Sequence, residues 1–156
     1  MIDLTEVHPQ VAKALREAGW YPGRRAEVEK WAPLTDEGYV FHVMAREILT
    51  SLDDLTIVPL NEHGPNFFNG DPFVVDPFHG SGSREIAVDV EEILGGEYFP
   101  LGSWMSRATV FVDQSGRVAA AGVGPIWDLG ATFEEALELI VRSQRPLVEV
   151  GRQRHT

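Results

Sequence analysis

Ala108-Thr109-Val110-Phe111-Val112-Asp113-Gln114-Ser115-Gly116-Arg117-Val118-Ala119-Ala120-Ala121 decides how this chain is read. Two apolar runs flank a short polar turn, which predicts an antiparallel hairpin. Val110 and Val112 face one side of its first strand and Phe111 the other. Gly116 supplies the left-handed position that a bulged turn needs. Upstream, Tyr98 to Trp104 contains Pro100-Leu101-Gly102. It reads as a strand that Pro100 interrupts or confines to a sheet edge, because proline cannot donate to a ladder. Downstream, a glycine-rich loop leads to Leu129-Gly130 and then to Thr132-Phe133-Glu134-Glu135. That tetrad is a capping box: the threonine oxygen accepts from the amide of Glu135, whose carboxylate reaches back. Phe133, Ala136, Leu137, Ile140 and Val141 give the helix that follows an apolar face. After Pro146 the tail carries Arg152 and Arg154 and is expected to fray.

The first half is helical at its start and loop-rich later. Val11, Leu15 and Ala18 share one face of a helix from His8 to Ala18, with Pro9 in its first turn and Gly19 as its stop. Trp20 opens a loop turned by Pro22-Gly23, and Arg25 to Trp31 reads as a short second helix closed by Pro33. Val40, Met44, Ile48 and Leu52 repeat every four residues and predict a helix from Tyr39 to Leu52. Its Asp53-Asp54 end opposes the helix dipole at about 0.3–1 kcal/mol per charge, a cost that invites a functional explanation. Leu55 to Leu60 reads as a strand limited by Pro59. Glycine, proline and asparagine punctuate residues 61–82, with Phe73-Val74-Val75 as a short strand among them. Phe67, Phe68, Phe73 and Phe78 make that segment too apolar for a disordered linker. Arg84 to Leu94 alternates weakly and is read as helix in its second half, ended by Gly95-Gly96. Neither an internal repeat nor a domain boundary is visible. The expectation is one domain over residues 1–156, with a core at about 8–145 and a tail at 146–156.

Composition narrows the function classes. The chain has 156 residues, and a domain of that size buries roughly 68–70% of its unfolded surface, so it folds without metal or disulfide. There is no cysteine, which removes thiol catalysis and thiolate metal sites and agrees with a cytoplasmic location. The acidic N-terminus is not a signal peptide, and no apolar run approaches the ~18 residues of a membrane span. The net charge of −11 is unevenly spread. Residues 1–52 hold 8 acids and 6 bases, residues 53–104 hold 10 acids and 1 base, and residues 105–156 hold 6 of each. The middle third therefore carries −9, which disfavours nucleic-acid binding. Such a field attracts and steers a basic protein, and it also keeps a protein soluble.

No catalytic motif has the required spacing. Glu62-His63 and Asp76…His79 place histidines near carboxylates, but the spacing fits no zinc pattern. His79-Gly80-Ser81-Gly82-Ser83 resembles an anion nest, yet it lies in the most acidic segment and lacks the Walker lysine and the dinucleotide fingerprint. There is no nucleophile elbow. Asp113…Ser115 lacks the acidic run and terminal glutamate of a calcium loop. The chain is read as a non-enzyme with no metal or cofactor. A small hydrolase using His79 to Ser83 is the least favoured alternative. Of the four tryptophans, Trp20 and Trp31 are read as core. Trp127, in the loop Gly124-Pro125-Ile126-Trp127-Asp128, is an anchor candidate if exposed.

Several motifs in order resemble the SUKH superfamily of toxin-immunity proteins, its third group in particular. They are Leu15…Ala18-Gly19-Trp20-Tyr21-Pro22-Gly23-Arg24, Trp31, the helix from Gly38 to Leu52 with Leu55-Thr56-Ile57 after it, Pro100-Leu101-Gly102, the Val110…Asp113…Gly116-Arg117-Val118 hairpin, and Leu129-Gly130…Phe133-Glu134-Glu135-Ala136-Leu137. The likeness covers about residues 8–145. One departure stands out: where the family often places a glycine pair after the third helix, this chain has Asp53-Asp54. The resemblance implies an α+β domain of the Smi/Knr kind, with a mixed or antiparallel sheet of about four to six strands flanked by about four helices. It also implies a bacterial immunity protein that binds and neutralises a cognate polymorphic toxin, of nuclease or deaminase type and basic. The alternative is a non-catalytic scaffold domain for an endogenous partner. The interface is expected among Asp53, Asp54, Glu62, Asp71, Asp76, Asp89, Glu91, Glu92 and Glu97, with Phe67, Phe68, Phe78 and Trp127 as apolar anchors.

Overall fold

The computed structural model describes residues 2–60, 70–105, 107–122 and 124–154. Seven strands run in chain order across one sheet: β1 Thr56–Ile57, β2 Phe73–Val74, β3 Phe99–Trp104, β4 Ala108–Val112, β5 Val118–Ala121, β6 Pro125–Gly130 and β7 Val148–Arg152. Every neighbouring pair is antiparallel. The sheet is thus wholly antiparallel and one strand larger than the expected four to six. Four α-helices accompany it: α1 Pro9–Ala18, α2 Val43–Leu52, α3 Arg84–Leu94 and α4 Phe133–Arg142. Two 3-10 segments, Glu29–Glu37 and Pro77–Gly80, complete the described elements.

The hairpin at the centre forms as its sequence dictates. Val112 pairs with Val118 and Val110 with Ala120, and the turn glycine, Gly116, has φ of 100°. Asp113 Oδ1 accepts from the amides of Ser115 and Arg117 at 2.9 and 3.0 Å and closes the turn from inside. α4 starts at the capping box, with Glu135 N donating to Thr132 Oγ1 at 3.1 Å. Glu135 reaches one residue further back than expected, to the amide of Ala131.

Helix α4 packs on β6 and on α1, α1 on β1, and α2 on β3. Between them lies the core of Leu15, Ile48, Leu52, Ile57, Phe73, Val110, Leu137 and Ile140, each 1% exposed or less. On the other face α3 crosses β5 and β7. There Gly151 lies so near Ile93 that a side chain would meet its Cδ1 at 2.4 Å.

Six sequence readings change. The short helix expected over Arg25–Trp31 is the 3-10 segment Glu29–Glu37, with Pro33 inside it; three-residue turns at Trp31 and Gly38 flank the proline that an α-helix would not accept. The helix expected from Tyr39 begins at Val43, because His42 caps it by accepting from Ala45 N at 3.1 Å. The extended residues before it pack aromatics instead: the Phe41 and Phe99 rings stack at 4.7 Å. The α3 helix occupies all of Arg84–Leu94. Strand β3 is internal, since β2 and β4 border it; β2 touches it only at Ser103, so Pro100 faces no ladder partner on that side. The 3-10 turn fills this place, and a side chain on Gly80 would collide with Pro100 Cβ at 2.4 Å. Finally, Pro125–Gly130 is strand rather than loop, and Val148–Arg152, within the tail expected to fray, pairs with it as β7.

Candidate protein-binding surface

The acidic third divides into carboxylates that hold the fold and carboxylates that face outward. Asp53 belongs to the first group: its side chain is 1% exposed, and Lys30 Nζ lies 2.9 Å from Oδ2. Burial pushes the Asp53 carboxyl above its ordinary range, with Lys30 opposing. The Lys30 ammonium is shifted upward in turn, chiefly by its hydrogen bond to Asp53. Both shifts fit one lopsided pair, in which the exposed lysine gains an anion while the buried carboxylate gives up water.

Three more acids are engaged by partners within the protein, Glu92 of them at the surface. Asp89, 1% exposed, accepts from the backbone amide of Arg154 at 2.8 Å and fastens the end of the chain to α3. Glu92 pairs with the Arg154 guanidinium at 3.1 Å. Glu91 takes both ends of Arg84 at 3.0 Å and also accepts from Tyr98 N at 2.8 Å. Asp71 is half-buried and has an interaction of its own. Asp54, Asp76 and Glu97 are exposed. Phe78 is 68% exposed. Glu62, Phe67 and Phe68 lie outside the described residues. Trp127 sits half-buried on β6, opposite Ala120 and Glu149, rather than on an exposed loop. Trp20 is 8% exposed and Trp31 packs against the core, as read.

Sequence reading missed Thr56, Val58 and Val74 as surface positions. The signal was present as a period of two: Leu55, Ile57, Phe73 and Val75 are buried, while Asp54, Thr56, Val58 and Asp76 are exposed. Strands this short, beside a proline, read as uniformly apolar.

The candidate chemistry finds its partners within the protein. The glycine-rich loop does bind an anion, and that anion is Glu37: Ser81 Oγ donates to Oε2 and Gly82 N to Oε1, both at 2.8 Å. His79 Nδ1 lies 2.9 Å from Thr109 Oγ1. Among the described residues no group of three or more His, Asp or Glu has metal-binding geometry. A groove of about 260 Å³ beside Ile2, Leu4, Trp20 and Pro22 is apolar. Another, of about 420 Å³, runs beside Arg25, Glu27 and Arg46, where Arg46 pairs with Glu29. The buried Tyr39 hydroxyl donates to Gly80 O at 2.8 Å, and burial drives the Tyr39 and Tyr98 hydroxyls well above the usual range for tyrosine.

A surface of this kind suits protein contact, and the family comparison agrees. The family model described as SUKH-3 immunity protein matches residues 7–143. The chain belongs to the SUKH-3 immunity protein family. No curated protein and no solved structure matches it. The matched SUKH-3 span takes in every described helix and strands β1 to β6, and leaves out β7. Membership in an immunity family implies a cognate toxin as partner. Among the described residues, no helix is long and apolar enough to cross a membrane.

Proposed function

We propose that this SUKH-3 protein neutralises a basic toxin of nuclease or deaminase type by binding it in the cytoplasm, without chemistry of its own. The family match over residues 7–143 carries the reading. Two features support it. Asp54, Asp76 and Glu97 stay at the surface while Asp53 and Asp89 are buried and Glu91 is held by Arg84, and the glycine-rich loop at residues 79–83 is filled by Glu37. An acidic outer surface speeds encounter with a basic partner and fixes its orientation.

Co-expression with the toxin domain encoded beside this gene is the test. Cells carrying both are expected to grow and the two proteins to co-purify. Growth arrest despite abundant folded immunity protein, with no complex, would refute the reading.

A further inference from the structure

The β1–β2 hairpin has one face in the core and one in solvent. Thr56 pairs with Val74 and Ile57 with Phe73. Ile57 and Phe73 are fully buried. The alternate positions form an outward row: Asp54, Thr56 and Val58 along β1, and Val74 and Asp76 along β2. Val58 is 55% exposed and Val74 half-exposed. The row continues into the 3-10 turn, where Phe78 N donates to Asp76 Oδ1 at 3.1 Å and the Phe78 ring stands 68% exposed. At the other end of this sheet face α3 covers β5 and β7. Over β1 and β2 no described element does so, and neither of the two grooves described above is lined by this row.

Two observations choose the occupant. A phenylalanine exposed this far, on a turn fixed by its own aspartate cap and by the Tyr39–Gly80 hydrogen bond, is an anchor held in place before binding, the kind that carries interface energy. The exposed charges at the ends of this row are carboxylates: Asp54 and Asp76 act on Lys30 together with the buried Asp53, and the nearby Arg24 guanidinium is taken up by the carbonyls of Ser51 and Asp53. Lys30 itself is engaged by Asp53 at 2.9 Å, so Asp54 and Asp76 remain for a cation from outside.

We propose that the outward face of the β1–β2 hairpin, with Phe78 as its apolar anchor and Asp54 and Asp76 as its charged rim, is where the basic toxin docks. The inference rests on the immunity reading above and gives it a location. The toxin surface that fits it is a pocket for one aromatic ring bordered by lysine or arginine.

Binding kinetics with a catalytically inactivated form of the neighbouring toxin domain test the location. Phe78→Ala is expected to weaken binding roughly 30-fold, the size of an interface hot spot. The isosteric pair Asp54→Asn and Asp76→Asn is expected to slow association about fivefold at low salt, with the difference fading at high salt. Glu17→Gln, on the outer face of α1, serves as the control. Unchanged melting temperatures confirm that the fold is intact. If the wild type binds and protects while both variants stay within twofold of it, the location is wrong and immunity stands. If the wild type itself does not bind, the immunity reading falls and takes this surface with it. If the chain is a dimer that Phe78→Ala dissociates without weakening toxin binding, the face belongs to a second copy and the proposal is overturned.

Discussion

Asp54 has φ of 71°, in the left-handed region that glycine enters freely and other residues enter at a cost. It is the third residue of the turn that follows α2, closed by Leu55 N donating to Leu52 O at 3.1 Å, with Asp53 extended before it. A glycine, which the resemblance leads one to expect here, and Asp54 therefore suit the same backbone shape. Aspartate is among the few non-glycine residues that tolerate the region, so the substitution is affordable at the backbone level. Asp54→Gly is expected to raise stability by about 0.5–1 kcal/mol in denaturant unfolding, whereas Asp54→Val, β-branched, lowers it by about 1–2 kcal/mol. Its neighbour predicts a pH effect. The folded Asp53 carboxyl titrates above its unfolded value of 3.8, because burial disfavours the charged form more than Lys30 restores it. The folded state therefore holds more protons than the unfolded chain just above pH 3.8, and Asp53 withdraws stability as pH rises through that window. Asp53→Asn should remove this contribution, leaving a steeper gain of stability with pH across the same range in pH-resolved denaturant melts. An unchanged slope would contradict the assignment.

At the scale of elements, the Gly19-to-Arg25 motif acquires a physical role. Arg24 Nη1 and Nη2 donate to the carbonyls of Ser51 and Asp53, each at 2.8 Å, and Ala26 N donates to Thr50 O at 2.7 Å. The loop after α1 thus caps the C-terminus of α2 and places a guanidinium at its negative end. That cation, with Lys30, offsets the dipole cost that Asp53-Asp54 imposes, so the helix end is tolerated structurally whatever Asp54 does at the surface. Arg24→Ala leaves two carbonyls without their donor and is expected to cost about 2–3 kcal/mol in chemical denaturation. Arg24→Lys should recover only part, since a single ammonium does not span both oxygens as the planar fork does. What the sequence made legible here follows local signals: proline, glycine and capping residues marked α1, α4 and the β4–β5 hairpin. The cap from Arg24 to Asp53 spans 29 positions and leaves no local trace. Nor do His42 as a helix cap, whose Nε2 also lies 3.0 Å from Val112 O, or Glu37 as the occupant of the His79–Ser83 loop. In the outward hairpin face, Phe78, Asp54 and Asp76 were legible by type, whereas Val58 and Val74 needed the register to place them.

For the whole molecule, the last strand decides how the sheet ends. Val148–Arg152 pairs with β6 from Pro125 to Asp128, and Gln153 N donates to Gly124 O at 2.9 Å. Beyond the strand, Arg154 is tied to α3 through Asp89 and Glu92. The strand is polar and half exposed, which is why its sequence resembled a loose end: an edge strand buries little and carries charge against unwanted pairing. The two descriptions predict different outcomes for a chain ending at Arg145. A frayed tail would be dispensable, and the melting temperature would not move. A seventh strand is not: its loss strips Ile126 and Trp127 of their ladder neighbours on one side and leaves Asp89, 1% exposed, without the Arg154 amide. The expected cost is about 2–4 kcal/mol, or roughly 5–15 °C in melting temperature for a domain of this size. The shortened protein also presents β6, a longer and more apolar edge, and is expected to self-associate in sedimentation at concentrations where the full chain does not. Because the docking face proposed above lies at the opposite edge, on β1 and β2, shortened protein that remains folded at low temperature should still bind the toxin with near-native affinity. Loss of binding with the fold intact by circular dichroism would instead move the interface to the β7 end of the sheet.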